Sequence, residues 1–298
     1  MNDSEWLADR FEEHRPRLRA VAYRMLGSLT EADDAVQDTW LRLSRSGADD
    51  VRNLGGWLTT VLARVCLNML RSRAHRREES LPDHLPDPVV SPVGHPQPEE
   101  QALLADSVGL ALLVVLDTLS PDERLVFVLH DLFDLPFDRI AGIVGRSPNA
   151  AKQLASRARH RVAGARAPAP DLVRQRRLVD AFFAAARRGD FDALVAVLHP
   201  DALLRTDAGA PEASMMLRGA AAVARQATSG LRQWLAAPAA ELRPVLVNGA
   251  AGMLVVVHGR PVTVMGFTVV ADTITRIDAI ADPARLRRLL AGADPGPG

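Results

Sequence analysis

The sequence predicts a multidomain chain: two all-α domains, the second with a helix-turn-helix, followed by an α+β domain. Three observations predict it. Apolar residues recur at three- and four-residue spacing through "LRAVAYRMLG" and "GWLTTVLARVCLNML". A proline-dense stretch, residues 74–101, separates this block from a second helical one at residues 102–166. Beyond "APAP" at 167–170, two helical stretches give way to runs rich in Val, Ile and Thr, the order expected of a separate α+β unit.

Bulk composition narrows the class. The chain has 298 residues, with 36 basic and 36 acidic side chains and 48% hydrophobic content, ordinary for a globular protein. No apolar run approaches the roughly 20 residues that cross a bilayer. The opening "MNDSEWLADRFEEH" is acidic and lacks an export signal, so the cytoplasm is the expected compartment and no membrane contact is expected. The single cysteine, Cys66, excludes an intramolecular disulfide and a cysteine metal cluster, and its apolar surroundings predict a buried small hydrophobe.

Residues 1–73 read as helices. "SLTEADDAVQDTWLRL" carries an acidic face with Asp33, Asp34 and Asp38, which would repel phosphate and could meet a basic protein. "GGWLTTVLARVCLNMLRSR" places Thr60, Arg64, Asn68 and Arg71 on one polar stripe, opposite Trp57, Val61, Leu62 and Val65. Such a stripe could hold an unwound strand, whereas Trp57 is expected in the core. Residues 74–101 form a linker, extended in part.

The segment "GRSPNAAKQLASRARHRV", residues 145–162, holds five Arg or Lys residues and no carboxylate in a chain of zero net charge. Lys152 is the only lysine of the whole sequence. Ile140, Ala141, Ile143 and Val144 give the preceding helix an apolar face, and Gly145 can supply the positive φ of a tight turn. Ser147 followed by Pro148 is a helix start, a capping hydroxyl and then proline at the first position. At about 100° per residue, Asn149, Lys152, Gln153, Ser156, Arg157, Arg159 and His160 share one arc of roughly 160°. Ala150, Ala151, Leu154, Ala155, Ala158 and Val162 fill the rest, with Arg161 intruding. This is the layout of a recognition helix in a major groove. Asn149, Lys152, Gln153 and Ser156 are the expected base readers, and Arg146, Arg157 and Arg159 the expected phosphate contacts. A solvated amphipathic surface helix is the bland alternative.

In the last part, "DLVRQRRLVDAFFAAARRG" and "DFDALVAVLH" read as helices and "PDALLRTD" as a strand. Another helix near "AAAVARQATSG" precedes "LRPVLVN", "GMLVVVHG", "PVTVMGFTVVA" and "TITRIDAIA", which read as an antiparallel meander. No phosphate-binding glycine loop, zinc spacing or nucleophile elbow is present, so neither cofactor nor metal is expected.

In order and spacing, "YRMLGSLTEADDAVQDTWLRL", "GGWLTTVLARVCLNMLRSR" and "LSPDERLVFVLHDLFDLPFDRIAGIVGRSPNAAKQLASRAR" resemble the two domains of extracytoplasmic-function sigma factors, over roughly residues 8–165. The resemblance implies that Asp34, Gln37 and Asp38 meet the clamp helices of the largest subunit of core RNA polymerase. It also implies that Thr60, Arg64, Asn68 and Arg71 face the minus-ten promoter element. The minus-thirty-five element would then be met by Arg146, Ser147, Asn149, Lys152, Gln153, Ser156, Arg157 and Arg159.

Residues 171–298 resemble a SnoaL-like domain, a cone of the NTF2 group that a subgroup of these sigma factors carries. That subgroup has a Trp-Leu-Pro-type linker motif, for which this chain has "LPDHLPDPVV" with His84 in place of tryptophan. "DAGAP" from Asp207 and "ADPARL" from Ala281 correspond to its two other motifs. The resemblance implies a fused regulator that folds back on the linker or the sigma domains, with Leu85, Pro86, Asp207, Asp282 and Pro283 at the regulatory contact. A small apolar effector in the cone is a further expectation. The competing class is an enzyme, for which the acid–base candidates are His199, Asp207, His258, Asp272 and Asp278, in a domain without tyrosine. A free-standing helix-turn-helix regulator is the alternative within DNA binding, and in it the face of Asp34 and Asp38 would have no role.

Overall fold

Helix α1 (Asp3–Leu26) stops where Gly27 takes φ 72°, a left-handed conformation that side chains disfavour. The Gly27 N–H closes the helix on the Tyr23 carbonyl at 2.7 Å. Helices α2 (Leu29–Ser46) and α3 (Leu54–Arg77) pack with α1 around Phe11, Tyr23, Leu26, Leu43, Leu58 and Leu62, all buried. Cys66 is fully buried in this core, as anticipated, and burial pushes its thiol up to about 12. Trp57, expected in the core, is only half-buried.

The computed structural model describes residues 3–46, 53–77, 85–94, 109–163, 171–210 and 213–291. The chain divides into two units, residues 1–81 with 112–165, and residues 82–111 with 166–298. The first unit adds to α1–α3 most of α4 (Leu110–Leu116), then α5 (Pro121–Phe127) and a π-helical turn, Val128–Leu132. Helices α6 (Phe137–Val144) and α7 (Pro148–Val162) complete it. A reciprocal capping box starts α5: Ser120 Oγ accepts from the Glu123 N–H, and the Glu123 carboxylate accepts from the Ser120 N–H. Arg124, buried one residue later, donates to the Arg24 carbonyl at 3.3 and 3.4 Å and to the Asp117 carboxylate. The scaffold of the helix-turn-helix is thereby tied to the end of α1.

In the second unit α8 (Leu172–Arg188) and α9 (Phe191–Val197) begin at the Asp171 and Asp190 caps. They lead into β2 (Leu198–Asp207) and β3 (Met215–Arg218), followed by α10 (Ala220–Gln226), a π-helical turn at Ala227–Leu231, and α11 (Arg232–Leu235). Strands β4 (Ala240–Val247), β5 (Ala250–Val257), β6 (Arg260–Val270) and β7 (Thr273–Ile280) form the anticipated meander. The core is built on Phe182, Phe183 and Phe267, whose rings meet edge to face at 5.5–6.0 Å, with aliphatic side chains of α8–α10 and the sheet around them.

Several features went unread in the sequence, the short β3 and α11 among them. Val90–Pro92, within the proline-rich linker, is strand β1, which pairs antiparallel with β4 at the sheet edge, with Val90 opposite Val247. The seven-stranded order is β1-β4-β5-β6-β7-β2-β3, so β2 joins the meander through a parallel pairing with β7. The chain then forms α12 (Pro283–Leu290), capped by Asp282.

Candidate nucleic-acid interface and linker clamp

The turn between α6 and α7 is built as its residues dictate. Gly145 has φ 69°, and Ser147 Oγ accepts from the Ala150 N–H at 3.2 Å. Ala151, Leu154, Ala155, Ala158 and Val162 are buried against the scaffold. That leaves Asn149, Lys152, Gln153 and Ser156 exposed on one side of α7. Lys152 Nζ stands 6.0 Å from the Phe137 ring centroid, within cation–π range.

The arginines of this helix have carboxylate neighbours that a wheel of α7 alone could not reveal. Arg157 lies 3.4 Å and Arg161 3.1 Å from the Glu123 carboxylate, and Arg159 lies 2.6 Å from Asp131. Arg146 is 3.6 Å from Asp122. The helix itself carries no acid, yet α5 and the π-turn supply three. Arg161, the intruder on the apolar side, is accounted for by Glu123. The base-reading candidates and the arginines thus differ: both sets are exposed, but the arginines already have carboxylate partners within the protein.

On α3, Arg64 and Asn68 are exposed, and Thr60 Oγ1 donates to the Gly56 carbonyl at 2.8 Å. Arg71 donates to Asp122 at 2.8 Å. On α2, Asp34 and Gln37 are exposed, Asp38 pairs with Arg42 at 2.9 Å, and Asp33 with Arg19 at 2.5 Å. Asp34 is therefore the acid of this face most open to a partner.

A second cluster holds the linker. Asp207 Oδ2 accepts from the Leu85 N–H at 2.8 Å and from Arg285 Nη1 at 2.5 Å, while its Oδ1 accepts from the Gly209 N–H at 3.0 Å. Arg285 Nη2 also donates to the Leu85 carbonyl at 2.6 Å and to Asp87 at 2.7 Å. Asp282 caps α12 by accepting from Ala284 at 2.8 Å and so positions Arg285 one turn into the helix. Gly209 is required beside it: φ is +84°, and a Cβ there would lie 2.9 Å from the Asp282 carboxylate. Farther along, Asn248 exchanges two hydrogen bonds with Val89, at 2.7 and 2.9 Å.

Leu85, Pro86, Asp207, Asp282 and Pro283 are thus brought to one cluster within the second unit, and Leu85 and Pro86 are buried in it. His84 lies outside the described residues. Arg285, Asp87 and Asn248 were missed. Arg285 was hidden in "ADPARL" among the sequence's many arginines. Asn248 sits with Gly249 in the hairpin turn between β4 and β5, with φ 49° followed by 75° at Gly249.

The acid–base candidates do not converge. His199 Nδ1 accepts from the Asp201 N–H, Asp207 holds the linker, and His258 and Asp272 stand exposed in hairpin turns, Asp272 paired with Arg174. Asp278 pairs with Arg276 at 2.8 Å, on the face of β7 opposite Ile277 and Ala279 of the core. Burial pushes its carboxyl above the usual range, with Arg276 opposing.

Known proteins resemble this chain along most of its length. Residues 10–76 match the family profile of sigma-70 region 2, and residues 109–162 that of sigma-70 region 4. The ECF RNA polymerase sigma factor SigJ of Mycobacterium tuberculosis is 41% identical over 220 residues, 72% of this chain and 70% of that one. The probable ECF RNA polymerase sigma factor SigI of the same organism is 34% identical over 295 residues, 98% of each chain. The crystal structure of SigJ superposes with a TM-score of 0.73 and 32% identity, covering 96% of this chain and 99% of that one.

Proposed function

We infer the activity from one premise: the chain belongs to the extracytoplasmic-function sigma factors, the small sigma-70-type initiation subunits of bacterial RNA polymerase. It directs core polymerase to specific promoters and performs no reaction itself. In our assignment residues 1–73 bind polymerase and the minus-ten element, 74–101 are the linker, 102–166 bind the minus-thirty-five element, and 171–298 are the SnoaL-like control domain. Its place of work is the cytoplasm, where it meets core polymerase.

The exposed face of α7, Asn149, Lys152, Gln153 and Ser156, supports this reading most directly. These are side chains that pair with base edges, set on a helix whose N-terminus is fixed by Gly145 and Ser147. Arg146, Arg157 and Arg159 exchange their carboxylates for phosphates on the duplex. On α3, Arg64, Asn68 and Arg71 hold the opened minus-ten strand, with Thr60 beside them. Asp34, Gln37 and Asp38 bind the clamp helices of the largest polymerase subunit. The control domain acts through the linker held by Asp207 and Arg285.

The test is selection from a randomised DNA pool by core polymerase with and without the chain. Two short elements at fixed spacing should be enriched only when both proteins are present. Enrichment of one element by the chain alone, with polymerase adding nothing, would point instead to a free-standing helix-turn-helix regulator.

A further inference from the structure

The second unit contains a cavity of about 490 Å³ between the sheet and α8, α10 and α11, within the size range of small-molecule sites. We propose that it is a binding site for a neutral, mainly apolar small molecule bearing one or two hydrogen-bonding groups. The proposal deepens the reading of this unit as a control domain and rests on it.

The lining decides the ligand's chemistry. Phe182, Leu204, Val223 and Met265 form apolar walls, and Trp234, two-fifths exposed, stands on the rim. Among the described residues none that lines the cavity is titratable or charged, so an ionic ligand would lose its hydration without a counter-charge there. Polar groups are few: Thr206, Gln226, Gln233 and Thr263. Thr263 Oγ1 already donates to the Ile280 carbonyl at 3.0 Å, leaving two amides and one hydroxyl to orient a ligand's carbonyl or hydroxyl.

The wall itself is irregular where a ligand would touch it. Gln226 leads into the π-helical turn Ala227–Leu231, and Ala227, Gly230 and Leu231 of that turn line the cavity. A Cβ on Gly230 would lie 2.6 Å from Gln226 Nε2, so glycine is what lets the amide rest there. The cavity also shares a strand with the linker clamp. Thr206 and Ala208 line it, while Asp207 between them turns to the opposite side and holds Leu85 and Arg285. A ligand pressing on this part of the chain therefore has a short path to the linker.

The test uses the full chain and two fluorescent probes of one skeleton: neutral N-phenyl-1-naphthylamine and 8-anilinonaphthalene-1-sulfonate, which adds a fixed negative charge. The neutral probe should bind saturably at one site per chain. The sulfonate should bind at least about ten-fold more weakly, because its charge would be desolvated without a partner. Ala213→Trp, at an exposed lining position, should weaken the neutral probe about ten-fold by blocking the mouth, with the circular dichroism spectrum unchanged. Equal affinity for the two probes, or neutral-probe binding untouched by Ala213→Trp, would overturn the proposal. The two-probe comparison on the unaltered chain needs no substitution, and neither measurement involves polymerase or promoter. Failure here leaves the sigma-factor reading intact.

Discussion

Arg71 Nη2 lies 2.8 Å from Asp122 Oδ1, joining the polar stripe of α3 to the first turn of α5. The other oxygen of that carboxylate faces Arg146, 3.6 Å away at the start of the recognition helix. One acid thus serves two arginines that our assignment sends to different promoter elements. Those elements lie about 25 base pairs apart, or roughly 85 Å of duplex at ~3.4 Å per base pair. Under that assignment both arginines could not remain on Asp122 in the complex, and the first unit would have to open to bind a promoter.

Removing the shared carboxylate should favour the open form. Asp122→Asn is expected to raise promoter affinity about two- to five-fold, the scale of a partly exposed ion pair. Any acid removed near DNA has some such effect, so a second readout is needed. Energy transfer between dyes on α2 and α7, without DNA, should report a longer distance in the variant. An unchanged distance would show that Asp122 does not hold the unit closed.

Base reading and phosphate binding separate by their response to sequence and salt. Gln153→Ala should cost about 1–3 kcal/mol at the preferred site and alter selectivity at one or two positions. Arg157→Ala should instead weaken every site alike and lower the salt slope by about one. Uniform weakening by Gln153→Ala would move that residue to the backbone contacts. An unchanged slope for Arg157→Ala would leave its guanidinium with Glu123 in the complex.

The linker clamp offers a separate handle on activity. Asp207 and Arg285 are both buried, and breaking such a pair typically costs about 3–5 kcal/mol, because the remaining charge stays desolvated. Asp207→Asn should speed hydrogen exchange at the Leu85 amide and change transcript yield, while the preferred promoter sequence stays the same. A variant that exchanges faster yet transcribes at the parental level would disconnect the clamp from control.

Local chemistry is what the sequence made legible. Gly145, Ser147 and Pro148 fix the recognition helix through backbone effects that act within a few residues, so the turn and the exposed face could be read directly. The sheet runs and the buried Cys66 followed from pattern in the same way. Long-range pairing was not legible. Glu123 meets Arg157 and Arg161 only because α5 packs beside α7, and Val90 becomes a strand only because β4 offers an edge. The proline-dense stretch reads only as a linker extended in part, and Pro92 sits at a sheet edge, where its missing N–H is tolerated. Arg285 and Asp87 are 198 residues apart, and no periodicity connects them.

Cys66 tests the integrity of the first unit's core. Its thiol rises from the ordinary 9.0 to about 12 because burial disfavours the thiolate. As pH climbs from 9.0 the unfolded chain loses this proton while the folded chain keeps it. The folded state then holds more protons, and stability falls with rising pH. In mildly alkaline buffer an aromatic disulfide reagent should leave the folded chain unmodified and titrate one thiol per chain in urea. Prompt reaction of the folded chain would contradict the packing around α3.

The central claim is that one chain grips polymerase through α2 while reading duplex DNA through α7. Run-off transcription with purified core polymerase tests it most directly, comparing the parent chain with an Asp34→Arg, Asp38→Arg double variant. The parent should yield a promoter-specific transcript; the double variant should yield none while its circular dichroism spectrum matches the parent's. A parent chain that leaves polymerase without promoter preference, or a double variant that transcribes normally, would contradict the account.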